Sequence, residues 1–311
     1  MDTKKIRLSL TRYLGWLGLN FAALLVSVLP RSWVYGFAQN ASRLGYRIAA
    51  KQRRTALENL SIAFGDKKTR EEIEQIAKDS FIFMAKGGME MMYFLNKPAL
   101  LKKRVQMAGQ DNLDAALSQG KGVILVSAHL GNFPLMMLKL SLQGYKIAGI
   151  MRPMRDERAE KMFLGARTRF GIKTIYSQPR RACVEETIRS LRGKEIVFIP
   201  IDQNFGSGGV FVDFFGKKAA TATGPVVLAQ RTGAPILPCF ILRQKDDTHK
   251  IIFEPPFNLV EGKTQGDSVQ INIQKLTDII ESYIRRYPAE WSWIHRRWKS
   301  RPDSENIEGG G

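Results

Sequence analysis

Apolar positions along the chain fall into two regimes. From Tyr13 to Pro30 (YLGWLGLNFAALLVSVLP) eighteen consecutive residues carry no charge, which is near the lower limit for a helix crossing a hydrocarbon core. Lys4, Lys5, Arg7 and Arg12 precede the run and Arg31 follows it. Trp16 near one end, and Trp33 with Tyr35 at the other, sit where interfacial aromatic residues belong. No good small-x-small cleavage site follows, so the expectation is a retained N-terminal hydrophobic membrane-anchor helix within residues 1–35. A helix lying in the membrane interface, or one buried in a core, fits the same pattern.

The second regime begins near Gly120, where short apolar runs alternate with amphipathic stretches. Candidate strands are 122–127, 146–151, 173–176, 195–201, 235–242 and 249–254. Candidate helices are 134–143, 155–170, 181–192, 225–232 and 268–287. That alternation predicts an α/β fold with a mostly parallel sheet flanked by helices. Between the regimes, residues 31–60 read as helical with a basic face of Arg43, Arg47, Lys51, Arg53 and Arg54. Such residues beside an apolar anchor suit anionic lipid heads. Thr69 predicts an N-cap, with Glu71 and Glu72 in the first turn of a helix toward Phe94. Its Met- and Phe-rich stretch, residues 81–94, suits either a core or the lining of an apolar groove. Residues 36–302 then form the main domain, and the polar, glycine-ended segment 303–311 is an expected disordered tail.

Charge narrows the partners. The 311 residues carry a net charge of +19, a field that attracts polyanions, anionic membranes, phosphorylated substrates and acidic carrier proteins. The N-terminal apolar run favours an anionic membrane surface and argues against nucleic acid. Cys183 and Cys239 give no disulfide framework and no metal-ligand spacing; no metal and no cofactor is expected.

Candidate chemistry collects at strand ends. The run Gly122–Ser127 delivers His129 to a Gly131-Asn132 turn, and a Pro134-started helix follows. An imidazole so placed suits general-base work near neutral pH. A second apolar strand ends in Asp202-Gln203-Asn204 before a glycine-rich stretch, where open α/β sheets place binding groups. Arg152 ends a third strand and can clamp a phosphate. Thr223 before Gly224-Pro225 reads as an N-cap whose helix start offers an anion site. Trp291, Trp293 and Trp298 lie among basic residues and fit an interfacial belt, an anionic-ligand edge or a stacking surface.

Taken together, the apolar N-terminal run, SAHLGNFP (127–134), MRP (151–153), IPIDQNFGSGGVFVDFFGKKAATATGP (199–225) and YPAEWSWIHRRWK (287–299) resemble the bacterial lipid A late (lauroyl/myristoyl) acyltransferases, within the lysophospholipid acyltransferase superfamily. The resemblance covers most of the chain. It implies a glycerolipid acyltransferase-like fold at the cytoplasmic face of the inner membrane. It implies acyl transfer from an acyl carrier protein thioester, or acyl-CoA, to a hydroxyl on a lipid acceptor. His129 then corresponds to the family's catalytic histidine. Asn132, Arg152, Gln203 and Thr223 become candidate substrate-binding residues, and backbone N–H groups around Gly131-Asn132 candidate oxyanion donors.

One position departs from the family pattern His-x4-Asp/Glu: five residues after His129 stands Pro134. The carboxylate that would orient the imidazole is missing there. Asp202, ending a neighbouring strand, is the candidate substitute. A weaker orienter such as a backbone carbonyl, or a non-catalytic lipid-binding homologue, are the other readings. A lysophospholipid or another glycolipid is the alternative acceptor.

Overall fold

The structure, a computed structural model, describes residues 3–154 and 156–302; the expected tail 303–311 lies outside the described residues. Five helices open the chain: α1 (Thr3–Val28), α2 (Arg31–Ile48), α3 (Ala50–Phe64), α4 (Arg70–Leu95) and α5 (Pro98–Arg104). The basic segment expected to be one helical region is two helices, broken at Ala49, whose ψ of 57° leaves the helical range. Thr69 and Glu72 form a reciprocal capping box that starts α4.

The α/β part then runs β1 (Val105–Ala108), α6 (Gln110–Ser118), β2 (Val123–Ser127), α7 (Phe133–Leu142), β3 (Ile147–Met151), α8 (Glu157–Arg169), β4 (Ile172–Tyr176), α9 (Arg180–Arg192) and β5 (Ile196–Pro200). It continues with β6 (Val210–Phe214), β7 (Lys217–Thr221), α10 (Gly224–Thr232), β8 (Ile236–Arg243), β9 (His249–Phe253) and α11 (Gln265–Arg286). Seven strands make one sheet in the order β1-β9-β8-β2-β5-β3-β4. The only antiparallel pair in it is β8–β9. The sheet is therefore mostly parallel and flanked by helices, as the alternation predicted.

Side chains alternate faces along each strand, and the core divides accordingly. Ile124 and Val126 join a cluster with α3, α9, α10, α11 and the C-terminal tryptophans. Val123 and Leu125 join the other, built from α1, α2, α4, α5, α6 and α7. The 81–94 stretch divides likewise: Met89, Tyr93 and Phe94 are core, while most of residues 81–86 are half-buried.

Four elements of this part escaped the sequence pattern: β1, α6, β6 and β7. β1 has four residues after a basic turn of helix. β6 and β7 form a separate antiparallel hairpin around Phe215 and Gly216, both at positive φ, the backbone a two-residue hairpin turn requires. Gln274 of α11 accepts from the Asp213 N–H at 2.7 Å and donates to the Asp213 carbonyl at 2.9 Å, satisfying the hairpin's outer edge.

The membrane-crossing form of the anchor is not supported. Among the described residues no helix is long and apolar enough to cross a membrane. Within α1, Gly15, Gly18, Asn20 and Ser27 dilute the apolar run, and basic residues occupy its first turns. Instead Val26 is fully buried, and Ala22 and Leu25 pack into the core around α2 and α4. The opposite face stays open: Leu14, Leu17, Phe21, Leu24 and Val28 are exposed at alternating three- and four-residue spacing. Trp33, Phe37, Leu44 and Ile48 of α2 are exposed too, and Phe37 meets Phe21 edge-on at 6.2 Å.

Candidate active site

Parallel register brings the two central groups together. Ser127 of β2 pairs with Pro200 of β5. Two residues past each strand end come His129 and Asp202, so the register itself sets them side by side. His129 Nδ1 lies 2.9 Å from Asp202 Oδ1, and the His129 backbone N–H donates to Oδ2 at 2.9 Å. The Trp291 indole N–H donates to the same Oδ2 at 2.7 Å. Asp202 is buried, while a quarter of the His129 side chain (25%) is exposed. One imidazole nitrogen is thus held from below and the other is left for a ligand.

Electrostatics follow from that geometry. Burial opposes the Asp202 charge, but the His129 ring and the converging N–H donors outweigh it and hold the carboxyl below its ordinary range. Burial likewise opposes the imidazolium, yet the Asp202 charge and hydrogen bond prevail and raise His129 above the ordinary histidine value. An ionised Asp202 only accepts, so Nδ1 carries the proton and Nε2 has the free lone pair.

The turn after His129 is clamped from both sides. The Gly131 N–H donates to the Glu290 carbonyl at 3.0 Å, and the Ser292 N–H donates to the His129 carbonyl at 3.3 Å. Gly131 has φ +65°, and a β-carbon there would sit 1.7 Å from the Ile241 carbonyl oxygen of β8. Only glycine lets the chain pass so close. Two expectations change here. The Gly131 N–H is already engaged and is no oxyanion donor. The Asn132 side chain is buried and gives its amide to the Gly87 carbonyl (3.1 Å) and Glu90 Oε2 (3.2 Å), so it braces the turn against α4 instead of facing a substrate.

Behind the turn lies a second buried carboxylate. Glu90 accepts from the Tyr35 hydroxyl, from Arg243 Nη2 at 2.6 Å, from Asn132, and from His249 Nε2 at 2.9 Å. The contacts with His249, Arg243 and the Tyr35 hydroxyl hold Glu90 down at about 2 against the opposing cost of burial.

The remaining predicted site residues share the carboxyl edge of the sheet. Arg152 follows β3, next to β5, and is exposed. Gln203 is half-buried and its carbonyl accepts from Arg297 Nη1 at 3.3 Å. Thr223 stands at the start of α10 with no side-chain capping bond, so the expected hydroxyl cap is absent. α10 leads back into β8, which places its N-terminus at the same edge as His129.

The tryptophans need a fuller correction. Trp291, Trp293 and Trp298 are 2%, 0% and 7% exposed, so none forms an interfacial belt or stacking surface. Their segment is a strap that locks the edge. Arg297 is buried and gives Nη1 to the Ala220 carbonyl and Nη2 to Thr221 Oγ1, both at 2.5 Å. Burial pushes its guanidinium down to about 10. His295 Nε2 accepts from the Asn204 N–H at 3.1 Å, and burial lowers that imidazole below its ordinary value. Trp291 and Arg297 are site supports that charge patterning alone did not single out. The usable signal was that a buried indole N–H needs a partner.

The family model described as bacterial lipid A biosynthesis acyltransferase matches residues 1–300. A lipid A biosynthesis lauroyltransferase of Escherichia coli is 26% identical over 296 residues, covering 94% of this chain and 93% of the relative. A lipid A biosynthesis palmitoleoyltransferase of the same species is 27% identical, covering 94% of each. A phosphatidylinositol mannoside acyltransferase of Mycobacterium tuberculosis is 28% identical over 193 residues, covering 62% of this chain and 59% of the relative. The match to the family model spans nearly the whole chain, and the protein belongs to the bacterial lipid A biosynthesis acyltransferase family.

Proposed function

We propose that this protein moves a fatty acyl group from an acyl carrier protein thioester, or from acyl-CoA, to a hydroxyl of a lipid A precursor, with His129 as general base. The observation that carries the reading is the 2.9 Å contact between His129 Nδ1 and a buried, ionised Asp202. His129 Nε2 takes the proton of the acceptor hydroxyl as its oxygen attacks the thioester carbonyl. Asp202 holds the ring orientation and stabilises the imidazolium. Collapse of the tetrahedral intermediate breaks the carbon–sulfur bond, and the imidazolium returns its proton to the leaving thiolate. Asp202 thereby supplies what Pro134 cannot. Arg152, with the Gln203 and Thr223 segments, is assigned to the acceptor's phosphate.

The open apolar faces of α1 and α2 support membrane attachment by helices lying in the interface. The bound domain then faces the inner membrane from the cytoplasm, where an acidic carrier meets the +19 field.

The test is thioester consumption by the full chain, with and without lipid A precursor, beside His129→Ala. Acceptor-dependent product from the wild type, and about 10²- to 10⁴-fold less from the variant, is expected. Consumption with a lysophospholipid or mannoside acceptor alone would replace the acceptor. No consumption with any donor would leave a lipid-binding protein.

A further inference from the structure

A cavity of about 610 Å³ opens between α2 and α4, lined by neither His129 nor Asp202. Ser42 and Tyr46, one turn apart on α2, form part of its wall. They are 6% and 7% exposed, and neither hydroxyl has a hydrogen-bond partner. Buried hydroxyls are ordinarily satisfied, because an unmet one costs stability. The Tyr46 ring cannot swing out to water. It meets Phe81 edge-on at 5.1 Å and lies under the Arg53 guanidinium at 5.6 Å.

The charge around these hydroxyls is lopsided. Arg43, Arg47, Arg53 and Lys78 line the cavity against Glu74 and Asp79. Lys78 pairs with Glu74 at 3.0 Å, and Asp79 accepts from Gln75 at 3.0 Å. The wall carries four cations against two carboxylates; Arg53 also donates to the Tyr46 and Arg47 carbonyls, both at 3.2 Å, and Arg43 to Asn40 Oδ1 at 3.4 Å. Beside them on α2, Leu44 and Ile48 are 59% and 74% exposed. Guanidinium groups and hydroxyl donors suit phosphate oxygens.

We propose that this crevice seats the phosphate of an anionic lipid headgroup, with the Ser42 and Tyr46 hydroxyls donating to its oxygens and Arg43, Arg47 and Arg53 supplying the charge. The site rests on the reading that α1 and α2 lie against a membrane, and it deepens that reading by giving the attachment a headgroup preference.

Tyr46→Phe in the full chain keeps the ring and removes only the orphan hydroxyl. The free protein is expected to melt at the same temperature or higher, since an unsatisfied buried group is gone. Binding to phosphatidylcholine vesicles containing phosphatidylglycerol is expected to weaken about tenfold, the worth of one hydrogen bond to a charged group. Ser42→Ala should act in the same direction. Binding to phosphatidylcholine alone should not change, whereas Ile48→Ser should weaken binding to both vesicles. A Tyr46→Phe protein that binds anionic vesicles as well as wild type overturns the proposal while leaving membrane attachment intact. So does a variant that loses thermal stability, because the hydroxyl then has a structural partner. Inorganic phosphate supplies the other arm. A melting shift with phosphate that vanishes in Tyr46→Phe, without vesicle binding by the wild type, keeps the phosphate site and removes the membrane reading.

Discussion

Two carboxylate–histidine pairs occur among the described residues, and they differ in what the far nitrogen meets. At the sheet edge Asp202 holds His129 by Nδ1, and a quarter of the histidine side chain reaches the open side. Within the core Glu90 holds His249 by Nε2, and His249 is fully buried with Nδ1 unpartnered. Asp202 has a single titratable partner in contact, the His129 imidazole. Glu90 has the permanent cation Arg243 as well, so its charge is answered whatever the histidine does. Proximity of acid and imidazole is therefore common to both, and only one pair can pass a proton to a ligand. The two are physically linked, since Asn132 joins the turn after His129 to Glu90.

The largest expected effect separates them by rate. Asp202→Asn removes the charge that stabilises the imidazolium, and turnover should fall about 10²-fold or more. Because Asp202 raises the His129 pKa, the acid limb of residual kcat/KM should also move to lower pH. The limb reports the base becoming neutral, so wild-type activity should rise with pH through a value above the ordinary 6.5 of histidine. An Asp202→Asn enzyme with unchanged rate and profile would mean that another group orients His129.

Glu90→Gln should break the other pair by stability. Leaving Arg243 and His249 in the core without their carboxylate should cost roughly 3–5 kcal/mol. Chemical denaturation of variant and wild type measures this directly. Turnover per folded molecule should fall far less than in Asp202→Asn. A Glu90 variant that is fully stable yet inactive would make the inner pair part of the chemistry.

Much of this contrast was legible in the sequence, and the reasons are specific. The six predicted strands and five predicted helices of the α/β part all formed, because each is a buried run or an amphipathic stretch between turn residues. Asp202 was reachable because both strands are apolar and both end in a polar group. Its exact pairing needed the register of β2 on β5, which a single chain does not reveal. Glu90 was hidden. It sits in a helical Met-rich stretch, 159 residues from His249, and its partners meet only through the packing of α4 on the sheet. The tryptophans misled because their basic neighbours suggested a surface. Arg297 is in fact buried with them, held by carbonyls.

Trp291 sharpens the edge pair further. Its N–H is one of the donors that keep Asp202 ionised. Trp291→Phe keeps an aromatic ring against Phe214 and Trp293 and removes that bond together with part of the buried indole. Turnover should fall about tenfold, in line with one hydrogen bond to a charged group. Asp202 becomes a stronger base without it, so the acid limb should shift upward, opposite to Asp202→Asn. A loss of stability with an unmoved pH profile would reduce Trp291 to packing.

Glu290 tests the strap where the two pairs meet. Its backbone carbonyl holds Gly131, and its carboxyl accepts from the Arg243 backbone N–H at 3.1 Å. Burial raises this carboxyl to about 7, with nearby Glu90 adding to the shift against the Arg243 contributions. The folded protein therefore binds a proton that the unfolded chain releases near 4.5. In that interval the native state holds more protons, so stability falls as pH rises toward 7 and stays lower above it. Glu290→Gln cannot ionise and should escape this loss. Its melting temperature should match wild type near pH 5 and exceed it at pH 8, by the equivalent of about 2 kcal/mol. If the curves stay parallel across that range, Glu290 is ionised throughout. The strap would then carry a negative charge next to Glu90, and Arg243 would have to answer three carboxylates, Glu90, Asp247 and Glu290, instead of two.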